Sequence, residues 1–151
     1  MKKCAFILVA LLLSAATAVA TEGVISVKSA HDVNATADRL VSILKSKGMT
    51  VFARIDHAEG AQKVGIPLRP TVQVIFGNPK VGSPLMACAS TTALDLPQKA
   101  LVWQDKSGQV WLSYNDPAYI ARRHGIGECA KDALAKVTAA LNKFTHAAAA
   151  P

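Results

Sequence analysis

The chain has 151 residues, with 17 Lys plus Arg against 10 Asp plus Glu, a net charge of +7. At 51% hydrophobic and 18% charged residues it is no disordered acidic chain, and with three cysteines it is no disulfide-dense scaffold. The length holds one ordinary domain, and 5% aromatic residues are too few for a single-strand nucleic-acid platform.

Lys2 and Lys3 precede an apolar run over residues 5–13, and Ala18-Val19-Ala20 follows. A basic start, a short apolar core and a small-x-small end make a secretory signal peptide cleaved near Ala20. The apolar core is too short to span about 30 Å of hydrocarbon, so no stable membrane anchor is expected after cleavage. Cys4 precedes the apolar run and is badly placed for a lipoprotein anchor. The expected organisation is a signal peptide over 1–20 and one domain over 21–151, working in the periplasm or outside the cell. Cleavage removes two lysines and no acid, leaving 15 basic against 10 acidic residues, a charge of +5. The basic residues are scattered, with Arg122-Arg123 the only tight pair. They read as a solvated surface, and nucleic acid is not an expected partner. Cys88 and Cys129 survive cleavage. An oxidising compartment and an even count allow one bridge, and the alternative is two buried thiols packed as small hydrophobes.

Along the mature chain, residues 23–29 (GVISVKS) alternate apolar and polar, as a half-buried strand does. Ser29 and Asp32 give an S-x-x-D helix start. Val33, Ala37, Leu40, Val41 and Leu44 then recur at helical spacing, Lys45 and Lys47 suit the last turn, and Gly48 ends the helix. Residues 50–56 (TVFARID) form a second strand, with Val51, Ala53 and Ile55 on one face and Phe52, Arg54 and Asp56 on the other. Residues 58–64 make a short helix ended by Gly65. Pro67 and Pro70 force an extended approach to a third strand over 71–76, whose apolar run predicts a central strand or cover on both faces. Residues 77–82 read as a loop, with Ser83 as N-cap and Pro84 opening a short helix through Leu85, Met86, Cys88 and Ala89. Strands over 99–104 and 109–114 flank the turn Asp105-Lys106-Ser107-Gly108. Asn115-Asp116-Pro117 starts a short helix over 118–123. The last helix, 127–146, carries Ala130, Ala133, Leu134, Val137, Leu141 and Phe144 on one face, and the alanine-rich end beyond it should fray. The order β-α-β4-α predicts an α+β two-layer domain, a mainly antiparallel sheet packed against two long helices.

His57 follows Asp56 at a strand end. A histidine beside a carboxylate can be a base, a proton shuttle or a metal ligand. Adjacent strand residues point to opposite faces, however, and a histidine fixed by a backbone bond is the plainer reading. A metal site would have to gather His57, His124, Cys88, Cys129, Asp95 and Met86 in space, because no C-x-x-C, H-x-x-x-H or H-E-x-x-H spacing is present. None is assigned. Residues 77–82 lack the G-K-S/T of a phosphate loop, and no G-x-S-x-G elbow is present, so Ser83 reads as a cap and not a nucleophile. Trp103 and Trp111 lie on the two arms of the hairpin, with core packing as the default and a groove or dimer face as the alternative.

The blocks FARIDHA, LRPT, FGNPKVGSPLM, DLPQKALVW and WLSYNDPAYIARRHGI, in that order, resemble those of the domain of unknown function 302 family. The resemblance is strong over residues 50–125, and the first strand-helix unit fits the family's N-terminal part. It implies a small α+β domain of the TATA-binding-protein-like class, usually a homodimer, with no established activity. That fold name is architectural and says nothing of DNA. The family's characteristic positions correspond here to Asp56, His57, Phe76, Asn78, Pro79 and Gly82, and further on to Asp95, Pro97, Lys99, Tyr114 and Asn115. Gly82 and Pro97 are explained by turn geometry alone. The polar ones at strand ends are where a site would gather. The signal peptide and the pair Cys88 and Cys129 depart from the plain family pattern.

The leading expectation is an exported module holding a small ligand or a protein partner in a cleft near His57, Asn78, Asp95 and Tyr114, with Lys99 and Asn115 beside them. No cofactor is assigned. One alternative is an enzyme using His57 as general base with Asp95 or Asp56 as orienter. Another is a copper- or haem-handling protein with His and Met or Cys ligands.

Overall fold

Residues 21–151 are described by a computed structural model, and the signal-peptide expectation for residues 1–20 lies outside them. Five strands, β1 (Val24–Lys28), β2 (Thr50–Asp56), β3 (Thr71–Gly77), β4 (Gln98–Gln104) and β5 (Val110–Asn115), form one antiparallel sheet in the order β1-β5-β4-β3-β2. Helix α1 (Val33–Ser46) follows β1, and α2 (His57–Lys63) follows β2. Helix α3 (Pro79–Cys88) follows β3, and α4 (Pro117–His124) and α5 (Lys131–Ala149) follow β5. Short 3-10 turns occupy Ser90–Leu94 and Gly127–Ala130. This is the α+β layering read from the sequence.

Strand alternation decides which face is covered. Val74, Ala100, Tyr114 and Ile25 are register neighbours across four strands and share one face. Helix α1 packs on this face through the buried Val33, Ala37, Leu40 and Leu44, and against α5, which buries Val137, Leu141, Phe144 and Ala148. Leu40 and Leu44 are wholly buried, each contributing about 1.5–3 kcal/mol.

The opposite face is only half-buried, and β3 is not covered on both sides: Gln73 and Ile75 remain partly exposed there. Trp103 and Trp111 face each other on it and so lie outside the helix-covered core expected for them. Each is held by its indole N–H, Trp103 donating to the Ser113 hydroxyl at 2.9 Å and Trp111 to the Asp105 carboxylate at 2.8 Å.

Several local expectations shift. Asp32 caps α1, accepting from the Ala35 N–H, while Ser29 bonds the Thr36 hydroxyl instead. A bulge at Phe52 pairs Val51 with Phe76 but Ala53 with Ile75. Because Phe76 and Ile75 face opposite ways, Val51 and Ala53 do too, which overturns the simple alternation read for this strand. Helix α3 begins at Asn78-Pro79, not Ser83-Pro84, and Pro84 lies inside it. The Asn78 side chain accepts from the Lys80 N–H and donates to the Gly48 carbonyl, which fixes the start there. The C-terminal alanines do not fray. Ala148 and Ala149 are buried, and the Arg39 guanidinium donates to the carbonyls of Ala147, Ala148 and Ala150.

Candidate functional site

At one end of the sheet, where β2 begins, β3 ends and β4 begins, the layers do not close. A cavity of about 480 Å³ lies between α3 and α5, walled by the sheet end and by the turn after α1. Its sides are mainly apolar: Met49 and Phe52, Leu85 and Met86 of α3, and Val137 and Phe144 of α5. Asn78 and Pro97 complete the rim. The volume falls within the range of ordinary small-molecule sites.

Two kinds of polar group meet this apolar space. Lys47 and Lys136 line it, are exposed, and make no ion pair among the described residues. No Asp or Glu lines it. Gln98, only 8% exposed, is the other. It opens β4 on the covered face, opposite Phe76, where alternation calls for an apolar residue. Its side-chain amide has no hydrogen-bond partner among the described residues. Its amide atoms keep contact with accessible space, whereas the Thr92 hydroxyl is the one side-chain group buried without a partner among the described residues.

The two walls of the cavity are joined covalently. Cys88 ends α3, Cys129 lies in the turn before α5, and the two form a disulfide. Of the two states left open by the sequence, the structure has the bridge, so neither sulfur is a free metal ligand. Among the described residues no three of His, Cys, Asp and Glu gather as a metal-holding group.

A second polar cluster lies at the turn Ser90–Leu94. Asp95 Oδ2 is 2.6 Å from His124 Nε2, Asp95 Oδ1 is 3.2 Å from Arg123 Nη1, and His124 Nδ1 is 3.0 Å from Thr91 Oγ1. The carboxylate can only accept, so Nε2 carries the proton, and in the neutral ring Nδ1 accepts from the Thr91 hydroxyl. This is the carboxylate–imidazole–hydroxyl order in which a base activates a hydroxyl. The cluster also has a structural consequence, tying the Ser90–Leu94 turn to the end of α4. Lys99 joins it through its ammonium, which donates to the carbonyls of Asp95 and Pro97.

The residues expected to share a cleft are therefore dispersed. Asn78 is on the cavity rim. Asp95 and Lys99 belong to the His124 cluster. Tyr114 is 4% exposed within the core, where burial raises its phenol above the ordinary range. Asn115 ends β5 opposite Val24. His57 directly follows the end of β2, as expected, and opens α2; it is exposed and has no side-chain hydrogen bond among the described residues, while Asp56 caps that helix through the Glu59 N–H. Asp56 pairs with Val72 at one end of β3 while Asn78 follows the other end, so His57 and Asn78 are separated by roughly 20 Å. The sequence reading missed Gln98, Lys47 and Lys136. Only Gln98 had a signal, a polar residue in phase with Ala100 and Val102.

The comparisons agree with this architecture. A crystal structure of an uncharacterized conserved DUF302 protein from Bacillus stearothermophilus matches with a TM-score of 0.75 at 20% identity, over 85% of this chain and 99% of that one. Two curated relatives, each named Fluoride-specific ion channel FluC 1, come from Brucella suis biovar 1 (strain 1330) and Brucella abortus biovar 1 (strain 9-941). Each is 50% identical over 105 residues, which is 70% of this chain. The match spans only 41% and 39% of the length of those relatives. Among the described residues no helix is long and apolar enough to cross a membrane. The family described as Domain of unknown function DUF302 matches residues 25–144, and the chain belongs to that family.

Proposed function

We propose that the protein is an exported module that binds one small ligand in the cavity between α3 and α5. The observation that carries this is Gln98, a residue 8% exposed whose amide makes no hydrogen bond among the described residues and lines a 480 Å³ apolar cavity. An apolar hollow of this size with a convergent polar group has the makings of a ligand site. The Cys88–Cys129 bridge supports function in an oxidising compartment, in line with export. In this reading the cleft near His57, Asp95 and Tyr114 is replaced by the cavity beside Asn78. The test is a nuclear magnetic resonance titration with octan-1-ol, following the Met49 and Met86 methyls and the Gln98 side-chain amide. These signals are expected to move together and saturate, and to stay still in Ala140→Phe, which fills the cavity from α5. Shifts spread evenly over the surface, or unchanged by Ala140→Phe, would rule the site out.

A second reading, a protein-binding module acting beside an ion channel, draws on the 50% identity to part of the two channel-named relatives. Phe52, Ile55, Val64, Ile66 and Leu68 are exposed along β2 and the loop after α2, and they would supply the contact. Co-purification with a fluoride channel from the same cell, abolished by Ile55→Asp with Ile66→Asp, neither of which lines the cavity, is its test. Loss of the interaction in Ala140→Phe instead would return the role to the cavity.

A further inference from the structure

The charges around the cavity specify more than an apolar occupant. We infer that the ligand is an anionic amphiphile, an alkyl or aryl body of modest size carrying one carboxylate-class head group. This rests on the cavity-binding reading and narrows it.

Lys47 and Lys136 come from different elements, the end of α1 and the second turn of α5, yet both line the same space. Neither is neutralised by an acid among the described residues, and no carboxylate lines the cavity. A cationic head group would therefore meet two like charges and no carboxylate in the cavity lining; Asp132, one turn before Lys136, lines the neighbouring hollow and pairs with neither lysine. The phenylalanines on the walls could face a quaternary ammonium, but with two lysines alongside the electrostatics oppose it. An anion is favoured at the mouth, where the lysines reach solvent, while the body lies against Met49, Leu85, Met86 and Phe144. Gln98 lies inside this charged mouth and is free to donate to, and accept from, a polar atom of the ligand.

The experiment is a calorimetric titration of the mature protein with octanoate, octan-1-ol and octylamine, three probes sharing one alkyl body. Octanoate is expected to bind at one per chain and at least tenfold more tightly than octan-1-ol, with octylamine weakest. The octanoate advantage should shrink as salt is raised. In Lys47→Gln with Lys136→Gln, both exposed positions, the advantage of octanoate over octan-1-ol should disappear. Equal binding of octanoate and octan-1-ol, or tighter binding of octylamine, would overturn the anionic ligand and leave the cavity reading standing. Binding of none of the three would overturn both.

Discussion

Cys88, the last residue of α3, is bonded to Cys129 in the turn leading into α5, with their Cα atoms 6.0 Å apart. The bond closes a loop of 41 positions and staples together the two helices that wall the cavity. In the chain-entropy model such a loop is worth about 4 kcal/mol. Cys88→Ala with Cys129→Ala, or reduction by a dithiol, is expected to lower unfolding stability in urea by an amount of that order and to weaken octanoate binding. An unchanged urea midpoint would show that the bridge merely decorates a packing already complete.

Asp105 accepts from the Ser107 hydroxyl and the Trp111 indole N–H, as well as from the backbone N–H groups of Ser107 and Gln109. The Ser107 hydroxyl, followed by the Trp111 ring, is the main cause that lowers its carboxyl from 3.8 to about 2 in the folded state. A lowered folded value means that the ionised form favours folding above the unfolded pKa, and that this advantage fades as pH falls from about 4 towards 2. The difference in Tm between the native protein and Asp105→Asn should thus be widest at neutral pH and narrow across that interval. A difference constant from pH 6 to pH 2 would remove Asp105 from the acid response.

Arg39 donates to three carbonyls at the end of α5, at 3.0 to 3.2 Å. These carbonyls have no helical partner, and a cation there also suits the macrodipole. Arg39→Met is expected to cost about 1–3 kcal/mol and to speed amide exchange over residues 145–149 first. Arg39→Lys should rescue little of it, since an ammonium cannot reproduce the guanidinium fork. Full rescue by lysine would show that charge alone holds the helix end.

His57 and His124 are expected to part company. His57→Ala removes an exposed ring without a hydrogen-bond partner among the described residues and should change stability by no more than about 0.5 kcal/mol. It should also leave octanoate binding intact. His124→Ala unties the Ser90–Leu94 turn and leaves Asp95, largely buried, with only Arg123, at a cost of about 1–3 kcal/mol. Loss of a measurable turnover in His57→Ala at unchanged stability would instead restore the enzyme reading built on that residue.

Elements whose ends are written locally were legible. The Asp116-Pro117 start of α4 and the apolar stripe of α1 are examples, because cap chemistry and periodicity act over a few residues. The start of α3 was not. The chain offers Asn78-Pro79 and Ser83-Pro84 as equivalent signals, and the choice falls to a bond between Asn78 and the distant Gly48 carbonyl. The bulge at Phe52 leaves no mark in composition, and the C-terminal alanines are held by an arginine over 100 positions away. The site was harder still. The cavity takes its walls from the turn after α1 and from β2, β3, α3, β4 and α5, and only the folded chain brings Lys47, Gln98 and Lys136 to one place. The polar residues that stood out in sequence were mostly serving turns and caps, as Asp56 and Asn78 do. Their chemistry was visible, but a cap and a ligand contact draw on the same residue types.

The most direct measurement is native mass spectrometry of the protein purified from the cells that make it, set beside its denatured mass. An additional mass of a small organic acid is expected on the native species, lost on denaturation and absent from Ala140→Phe. A native mass equal to that of the bare chain, or an added mass that persists in Ala140→Phe, would contradict the cavity-binding reading.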